Sequence, residues 1–312
     1  MRIALYIAPL TERNLLLAAQ VGVEDVVGLF PGCAIDDLAA LKNRVESAGL
    51  RLSVIEGEKY PMDRAKLGLP GRDDDIRLMQ ELIRNMGRLD IPILSYDFLP
   101  FGEWSRTSRT TPSRGGALVE SFDLRTFTAE TLVEGPGPSE EEVWDNLRYF
   151  LEHIVPTAEA AGVKLAIHPD DPPLPRLRGA PRILGSIEAL ERAVELVPSP
   201  ANGICFCQGT VALMDADIPD TIRRLRPHIN FVHFRDVQGS ADSFQESFID
   251  DGKTDMVAAM AAYRGIGYDG VLKIDHAPIM GASKADGSDG SPFLGLLHSV
   301  GYVRGLLQAV PN

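Results

Sequence analysis

Short apolar runs recur eight times along this 312-residue chain, and each is followed by a segment whose apolar residues repeat with the period of a helix. The runs have the near-continuous apolar character of parallel strands that are buried on both faces. They cover residues 2–8, 24–30, 51–57, 91–98, 164–170, 203–209, 229–236 and 270–277. This alternation permits few folds, because parallel neighbours must be joined by a crossover, which is usually a helix.

The helical segments complete eight strand–helix units. They cover residues 11–21, 35–49, 73–89, 139–162, 185–198, 217–227, 254–266 and 294–309. The fourth begins most clearly, because Ser139 is a capping residue and three glutamates follow it in the first turn. Eight units predict an α/β fold, a (β/α)₈ barrel, with a doubly wound open sheet as the main alternative. We expect one domain over residues 1–312, with long loops after the fourth strand (99–138) and the seventh strand (237–253).

The charge balance restricts the partners of the chain. It has 31 lysines and arginines against 44 aspartates and glutamates, so its formal net charge is −13. Nucleic acids and anionic membranes attract basic surfaces, so neither is expected as a partner. No apolar run reaches the roughly 20 residues that span a bilayer, and the first residues are typical of a strand rather than a secretory signal. Three cysteines without a framework spacing indicate a reducing compartment, so we expect a cytoplasmic protein.

Metal-binding residue types follow four consecutive strands. At the ends of the fifth to the eighth strand lie, in this order, His168, Cys207, His233 and Asp275. These ends meet at one rim of a barrel, where barrel enzymes place their active sites. Two imidazoles, a thiolate and a carboxylate suit a divalent transition metal such as Mn²⁺, Fe²⁺, Co²⁺ or Zn²⁺. Cys205 shares the face of Cys207 one layer deeper, and we expect it to be a buried filler.

Several motifs resemble those of the mannonate dehydratase family, which are metal-dependent hydro-lyases on a xylose-isomerase-like TIM barrel. The most specific is His168-Pro169-Asp170-Asp171-Pro172-Pro173. Others are Trp104-x-Arg106-Thr107, Pro181-Arg182-Ile183, Cys207-x-Gly209-Thr210, His233-Phe234-Arg235, Phe244-x-Glu246 and Asp275-His276. The resemblance implies that the family's metal ligands fall on His168, Cys207, His233 and Asp275, the four residues already found at the strand ends. It also implies Mn²⁺ as the metal.

The chain departs from the family pattern at four places. Gln245 stands where the family string Phe-His-Glu has histidine, and a second family histidine falls near Ile249. Ala277 replaces the glycine that follows Asp-His in the family. The tyrosine that the family pairs with a histidine for proton transfer falls at about Ser291. The metal ligands are therefore retained, while the groups for acid–base chemistry and substrate contact are altered.

The resemblance predicts dehydration of a sugar acid, D-mannonate or a related aldonate, to a 2-keto-3-deoxy acid. His276 is the candidate for proton transfer, with a hydrogen-bonding partner of the metal site as the alternative role. Arg235 is the second candidate catalytic residue and is predicted to bind a carboxylate of the substrate, or else to pair with Asp236 or Glu246. Four side chains are predicted to contact the substrate: Trp104, Arg106, Asp170 and Glu246. The first two could instead pack the loop against the barrel.

Two other functions stay open at this point. A metal-dependent sugar or keto-sugar isomerase or epimerase would use the same barrel, but the proton would return to carbon and no water would leave. A non-catalytic metal-binding paralogue would bind ligand without turnover. The last helix, 294–309, is apolar on much of its circumference, so it either closes the barrel or contacts another subunit. The family resemblance weakly favours an even-numbered homo-oligomer.

Overall fold

Eight parallel strands form a closed barrel in this computed structural model, which describes residues 1–57, 59–101, 104–128, 137–283 and 288–311. They are β1 (Arg2–Tyr6), β2 (Asp25–Leu29), β3 (Arg51–Glu56), β4 (Ile93–Tyr96), β5 (Lys164–Ile167), β6 (Asn202–Cys207), β7 (Ile229–Phe234) and β8 (Val271–Ile274). Each strand pairs with its neighbours in the chain, and β1 pairs with β8. The eight strands coincide with the eight predicted runs to within a few residues. The closed barrel is therefore confirmed, and the open sheet is excluded.

Helices follow the strands and cover the barrel. They are α1 (Glu12–Gln20), α2 (Ile35–Glu46), α3 (Asp63–Leu67), α4 (Arg72–Arg88), α5 (Glu140–Ala161), α6 (Ile187–Glu195), α7 (Gln208–Leu213), α8 (Ile218–Leu225), α9 (Met256–Gly265) and α10 (Pro292–Ala309). Eight of them match predicted segments, whereas the short α3 and α7 were not predicted. Ser139 caps α5 as expected, because its hydroxyl accepts from the N–H of Glu142, whose carboxylate accepts from the N–H of Ser139. None of the described helices has the length and apolarity that crossing a membrane requires.

An apolar layer fills the barrel lumen towards the N-terminal ends of the strands. One residue comes from each strand: Ala4, Val27, Val54, Ile93, Ala166, Cys205, Phe231 and Val271. Side chains alternate along a strand, so these eight point inward while their neighbours pack against the helices in the main core. Cys205 is fully buried here, so its expected burial is confirmed. We call these eight residues the apolar layer.

The two long loops combine into one antiparallel sheet, which we call the cap sheet. Its strands, in spatial order, are Val237–Ser240, Ser243–Glu246, Leu118–Asp123 and Ser108–Pro112. The central pair joins the loop after β4 to the loop after β7, with Ser243 opposite Asp123. The rings of Phe122 and Phe244 stack 5.9 Å apart within this pair. The predicted loops are thus a sheet assembled from two distant segments.

The last helix lies against β8 and α9. Its inner face buries Phe293, Val300, Val303 and Leu306, while Leu294 is 48% exposed. Of the two predicted roles for this helix, closing the barrel is confirmed. The even-numbered oligomer stays a prediction.

Candidate active site

A second set of inward-facing side chains lies two residues further along the strands and is largely polar. Its members are Tyr6, Leu29, Glu56, Ser95, His168, Cys207, His233 and Lys273. They share the inward direction of the apolar layer because residues two apart lie on the same face of a strand. This polar layer therefore stands at the C-terminal ends of the strands, with the apolar layer closing the lumen beneath it.

Three members of the polar layer can hold a metal ion, and we call them the His–Cys–His cluster: His168, Cys207 and His233. The candidate ligand atoms lie within 4.8 Å of one another, and all three residues are buried. Nδ1 of His168 lies 2.6 Å from the carbonyl oxygen of Pro169. A carbonyl can only accept, so Nδ1 carries the proton and Nε2 keeps the free lone pair that a metal ligand needs.

Cys207 has the surroundings of a thiolate. The hydroxyl of Thr210 lies 3.2 Å from its sulfur, and Nη1 of Arg235 lies 3.4 Å from it. Burial alone would raise the pKa of the Cys207 thiol, but His168 and Arg235 lower it well below its usual value. The thiolate is the form of cysteine that binds metal ions.

The ring of His233 lies between two carboxylates. Nε2 is 2.8 Å from Oε1 of Glu56, and Nδ1 is 3.3 Å from Oδ2 of Asp275. Both nitrogens are buried, and neither makes a hydrogen bond of good geometry within the described residues. A second imidazole beside His168 and the Cys207 thiolate completes a donor set that fits a divalent transition metal. Asp275, the fourth predicted ligand, lies on the Nδ1 side of this ring.

Lys273 supplies the positive charge of the polar layer. Its ammonium group pairs with Glu56 and lies 2.9 Å from Oδ1 of Asp275. Burial would raise the pKa of the Asp275 carboxyl, but Lys273 and the neighbouring histidines lower it well below its usual range. Asp275 is therefore an ionised carboxylate, as a ligand must be.

Replacing Glu56 by glutamine should weaken metal binding about 10- to 100-fold, because a carboxylate on the far ring nitrogen orients a ligating histidine and raises its basicity. The dissociation constant for Mn²⁺, measured by titration calorimetry, tests this. Ser95→Ala is the matched control, since it removes a hydroxyl that donates to Glu56 at 3.1 Å but keeps the carboxylate. An unchanged dissociation constant in Glu56→Gln would contradict the role given to this residue.

Four buried charges lie beside the cluster in what we call the charge quartet: Arg106, Asp171, Arg235 and Glu246. No side chain in it is more than 4% exposed. Arg235 donates to Glu246 at 2.8 Å and to Asp171 at 2.7 Å. Arg106 donates twice to Asp171 at 3.0 Å and once to Glu246 at 2.7 Å. Of the pairings considered for Arg235, the one with Glu246 is therefore found.

Asp236, the other partner considered for Arg235, accepts instead from the backbone N–H groups of Val237 and Thr254. Arg235 thus pairs with two carboxylates and also contacts the Cys207 sulfur. A direct catalytic role for Arg235 stays a prediction.

A cavity of about 690 Å³ opens at this end of the barrel. Trp104 and Arg106, both predicted to contact the substrate, line it, and the rings of Trp104 and His168 lie 5.2 Å apart. Nε1 of Trp104 and Nε of Arg106 are buried N–H donors without a hydrogen-bond partner among the described residues. Buried donors normally have partners, so these two are exceptions within the part of the chain that the structure describes. Contact of Trp104 and Arg106 with the substrate stays a prediction.

The other two predicted substrate contacts, Asp170 and Glu246, lie behind the residues that line the cavity. Asp170 accepts from the N–H of Leu184 at 2.7 Å, and burial raises its pKa to about 6 although Arg182 opposes this. Glu246 lies in the charge quartet. Neither belongs to the described residues that line the cavity. Contact of either with the substrate stays a prediction.

His276 lines the cavity directly after Asp275 and has a left-handed backbone with φ of 50°. Its Nδ1 is 3.2 Å from Oε2 of Glu120, and its Nε2 is 3.5 Å from Oδ2 of Asp275. Burial lowers the pKa of His276, but Glu246, Asp275 and Glu120 together raise it above its usual value. This is the placement expected of a group that exchanges protons with a bound ligand.

Two positions where the family pattern is lost have structural roles. The hydroxyl of Ser291 accepts from the N–H of Phe293 and caps α10. Ile249 is 4% exposed and belongs to the main core. Neither residue belongs to the described cavity lining, so neither replaces the family's tyrosine or histidine.

Sequence reasoning missed three charged residues of the site: Glu56, Lys273 and Glu120. The first two carried a usable signal, because a charged residue at an inward position of an otherwise apolar barrel strand must be paired. Val271, Lys273 and Asp275 alternate along and just past β8, which places lysine and aspartate on one face. Glu120 carried no such signal, since it lies in a segment interpreted as a loop.

Known proteins resemble the chain over almost its whole length. The sequence model of the family described as D-mannonate dehydratase (UxuA) matches residues 18–135 and 137–312. The mannonate dehydratase of Thermotoga petrophila is 34% identical over 337 aligned residues, which cover 93% of this chain and 91% of that protein. The family resemblance of the motifs is thereby confirmed.

Solved structures agree with the sequence matches. The crystal structure of mannonate dehydratase from Streptococcus suis serotype 2 superposes with a TM-score of 0.85 at 31% identity, covering 99% of this chain and 92% of that one. A xylose isomerase domain protein from Planctomyces limnophilus gives a TM-score of 0.61 at 16% identity, covering 99% and 97%, and this likeness shows the fold alone. The barrel is thus xylose-isomerase-like, and the chain belongs to the D-mannonate dehydratase family of hydro-lyases.

Proposed function

We propose that the protein removes water from D-mannonate or a related aldonate and releases a 2-keto-3-deoxy acid. The observation that carries this proposal is the buried His–Cys–His cluster, which shares one end of the barrel with the cavity. His276, Trp104 and Arg106 line this cavity.

The proposed metal site consists of His168, Cys207, His233 and Asp275. When bound there, a divalent cation supplies Lewis-acid stabilisation of the negative charge that develops on the substrate carboxylate. We propose Mn²⁺ as the resident ion, with Fe²⁺ or Co²⁺ as alternatives that tolerate the same mixed donors. His168 and Arg235 keep the cysteine ionised, and Lys273 keeps the aspartate ionised.

Dehydration breaks the C2–H bond and the C3–O bond, and the hydroxyl leaves as water with one added proton. The electron pair of the C2–H bond becomes the C2=C3 bond of an enol, which gives the 2-keto-3-deoxy acid when the proton of its C2 hydroxyl moves to C3. His276 accepts the proton from C2 and returns a proton to the leaving hydroxyl, so the imidazole ends in its starting state. Trp104 and Arg106 line the cavity and hold the sugar acid in place.

The test is turnover of D-mannonate by metal-stripped protein reloaded with Mn²⁺, with 2-keto-3-deoxygluconate as the scored product. His276→Ala should lower kcat about 10²- to 10⁴-fold, since it removes the proton-transfer group. His153→Ala is the control, because His153 lies on α5 and its ring contacts the backbone of Tyr149. Epimerisation of a keto-sugar without loss of water, or metal binding without any turnover, would contradict the dehydratase.

Three further proposals concern partners and location. A small sugar acid is the proposed partner, and no nucleic acid or membrane is proposed, because the chain carries a net charge of −13. An even-numbered homo-oligomer is proposed from the resemblance to the family. A cytoplasmic location is proposed from the sparse cysteines.

A further inference from the structure

Glu120 belongs to the cap sheet and not to the barrel, yet its carboxylate lines the cavity. Oε2 lies 3.2 Å from Nδ1 of His276, and Oε1 accepts from Arg109 at 3.0 Å. Its strand, Leu118–Asp123, is paired on both sides within the cap sheet. The backbone ladder therefore fixes where this carboxylate stands relative to the barrel.

The contact selects one form of the His276 ring. A carboxylate oxygen can only accept, and Oε2 of Glu120 lies 3.2 Å from Nδ1. In the neutral imidazole Nδ1 then carries the proton, and Nε2, which lies 3.5 Å from Oδ2 of Asp275, is the proton acceptor. Glu246, the other carboxylate near Nδ1, is 3.7 Å away and accepts from two arginines of the charge quartet.

The backbone at His276 also needs a restraint. A non-glycine residue with φ of 50° is held in a sparsely populated region, and such a conformation persists only where surrounding contacts impose it. Nδ1 is the ring atom of His276 that contacts the cap sheet, through Glu120. Ser291 stands at the position of the family's tyrosine, and its hydroxyl caps α10.

We propose that Glu120 is a positioning residue that fixes the tautomer and orientation of His276 for proton transfer. The proposal rests on the proton-transfer role given to His276 under the proposed function. The cap sheet therefore supplies Glu120, whose contact with Nδ1 leaves Nε2 of His276 as the base.

The kinetic test compares Glu120→Ala and Glu120→Gln in the Mn²⁺-loaded enzyme with D-mannonate. Glu120→Ala should lower kcat about 100-fold and leave KM within about threefold, because orienting a catalytic imidazole affects the proton-transfer step rather than binding. Glu120→Gln should recover at least about a tenth of wild-type kcat, since its amide oxygen still accepts from Nδ1. Asp123→Asn, on the same strand but paired with Arg125, is the control and should behave as wild type.

The second test does not depend on turnover. In protein labelled with ¹⁵N-histidine and loaded with diamagnetic Zn²⁺, the ring signals of His276, assigned with His276→Asn, should show the Nδ1–H tautomer. Glu120→Ala should convert them to a mixture of tautomers, while Glu120→Gln and Asp123→Asn should not. Wild-type kcat in Glu120→Ala, or an unchanged tautomer in that variant, would overturn the proposal. An inactive wild type with the expected tautomers would reject D-mannonate turnover but keep the positioning contact.

Discussion

Replacing Cys207 by alanine should weaken divalent metal binding at least about 100-fold and reduce turnover to background. Loss of a protein ligand removes a bond to the metal ion. Loss of a supporting residue removes only what orients a ligand, and this alone weakens metal binding about 10- to 100-fold. Cys207 is also the thiolate of the site, so its loss changes the net charge that the cation meets. Metal content per chain after dialysis, together with the Mn²⁺ dissociation constant, measures the effect.

Cys205 provides a matched control for this prediction. It precedes Cys207 by two residues on the same face of β6, but it lies in the apolar layer, where burial raises the pKa of its thiol to about 11. In Co²⁺-loaded protein, the sulfur-to-metal charge-transfer absorption should persist in Cys205→Ala and vanish in Cys207→Ala. The reverse pattern, or retention of the band in Cys207→Ala, would remove Cys207 from the ligand set.

Replacing Arg235 by methionine should lower the free energy of unfolding by about 3–5 kcal/mol. The substitution leaves Asp171 and Glu246 buried with only Arg106 to balance them, and an uncompensated buried charge has a cost of this size. The loss follows from the burial of the quartet, where the Arg235 side chain is 1% exposed. Urea unfolding at neutral pH measures the change.

Arg224→Met is the control for this substitution. Arg224 also pairs with two carboxylates, Glu188 and Glu191, but its side chain is 46% exposed. An exposed ion pair contributes at most about 1 kcal/mol, so the control should change stability little. A loss in Arg235→Met no larger than that of Arg224→Met would show that the quartet is not needed for the fold.

The charge quartet also makes the free energy of unfolding of the wild type depend on pH. Burial would raise the pKa of Asp171, but Arg106 and Arg235 lower it below its usual range. A carboxyl with a lowered pKa in the folded state stabilises the fold at neutral pH, and that stabilisation is lost as pH falls through the folded pKa. Arg235→Met should therefore show a weaker decline of stability with acid than the wild type.

The barrel was predictable because its signal is local and repeated. Each strand is a short apolar run, each of the eight major helices follows such a run, and the start of α5 has a cap that the sequence itself shows. The cap sheet was not predictable in the same way. Strands such as Ser108–Pro112 are short and polar, and this one pairs with Leu118–Asp123 of its own loop. Only the pair between Leu118–Asp123 and Ser243–Glu246 joins the two loops, and no local pattern predicts it.

The site residues, too, were predictable only where a regular strand fixes the direction of the side chain. The strand-end rule located His168, Cys207 and His233, since alternation and parallel pairing bring such ends together. It could not choose between the adjacent Asp170 and Asp171, because the chain after β5 is irregular and alternation no longer fixes where a side chain points. Asp171 lies in the charge quartet, whereas Asp170 binds the backbone of Leu184.

The cap sheet also has a consequence for the order in which the molecule forms. Its central pair joins Ser243 to Asp123, so about 120 residues must be made and folded before the two strands can meet. Contacts of such sequence separation form late, because the intervening β5, β6 and β7 must first bring their loops together. During synthesis, the strand that carries Glu120 cannot pair with Ser243–Glu246 until most of the barrel has left the ribosome. A partly folded chain therefore lacks the completed cap sheet that holds Glu120 beside His276.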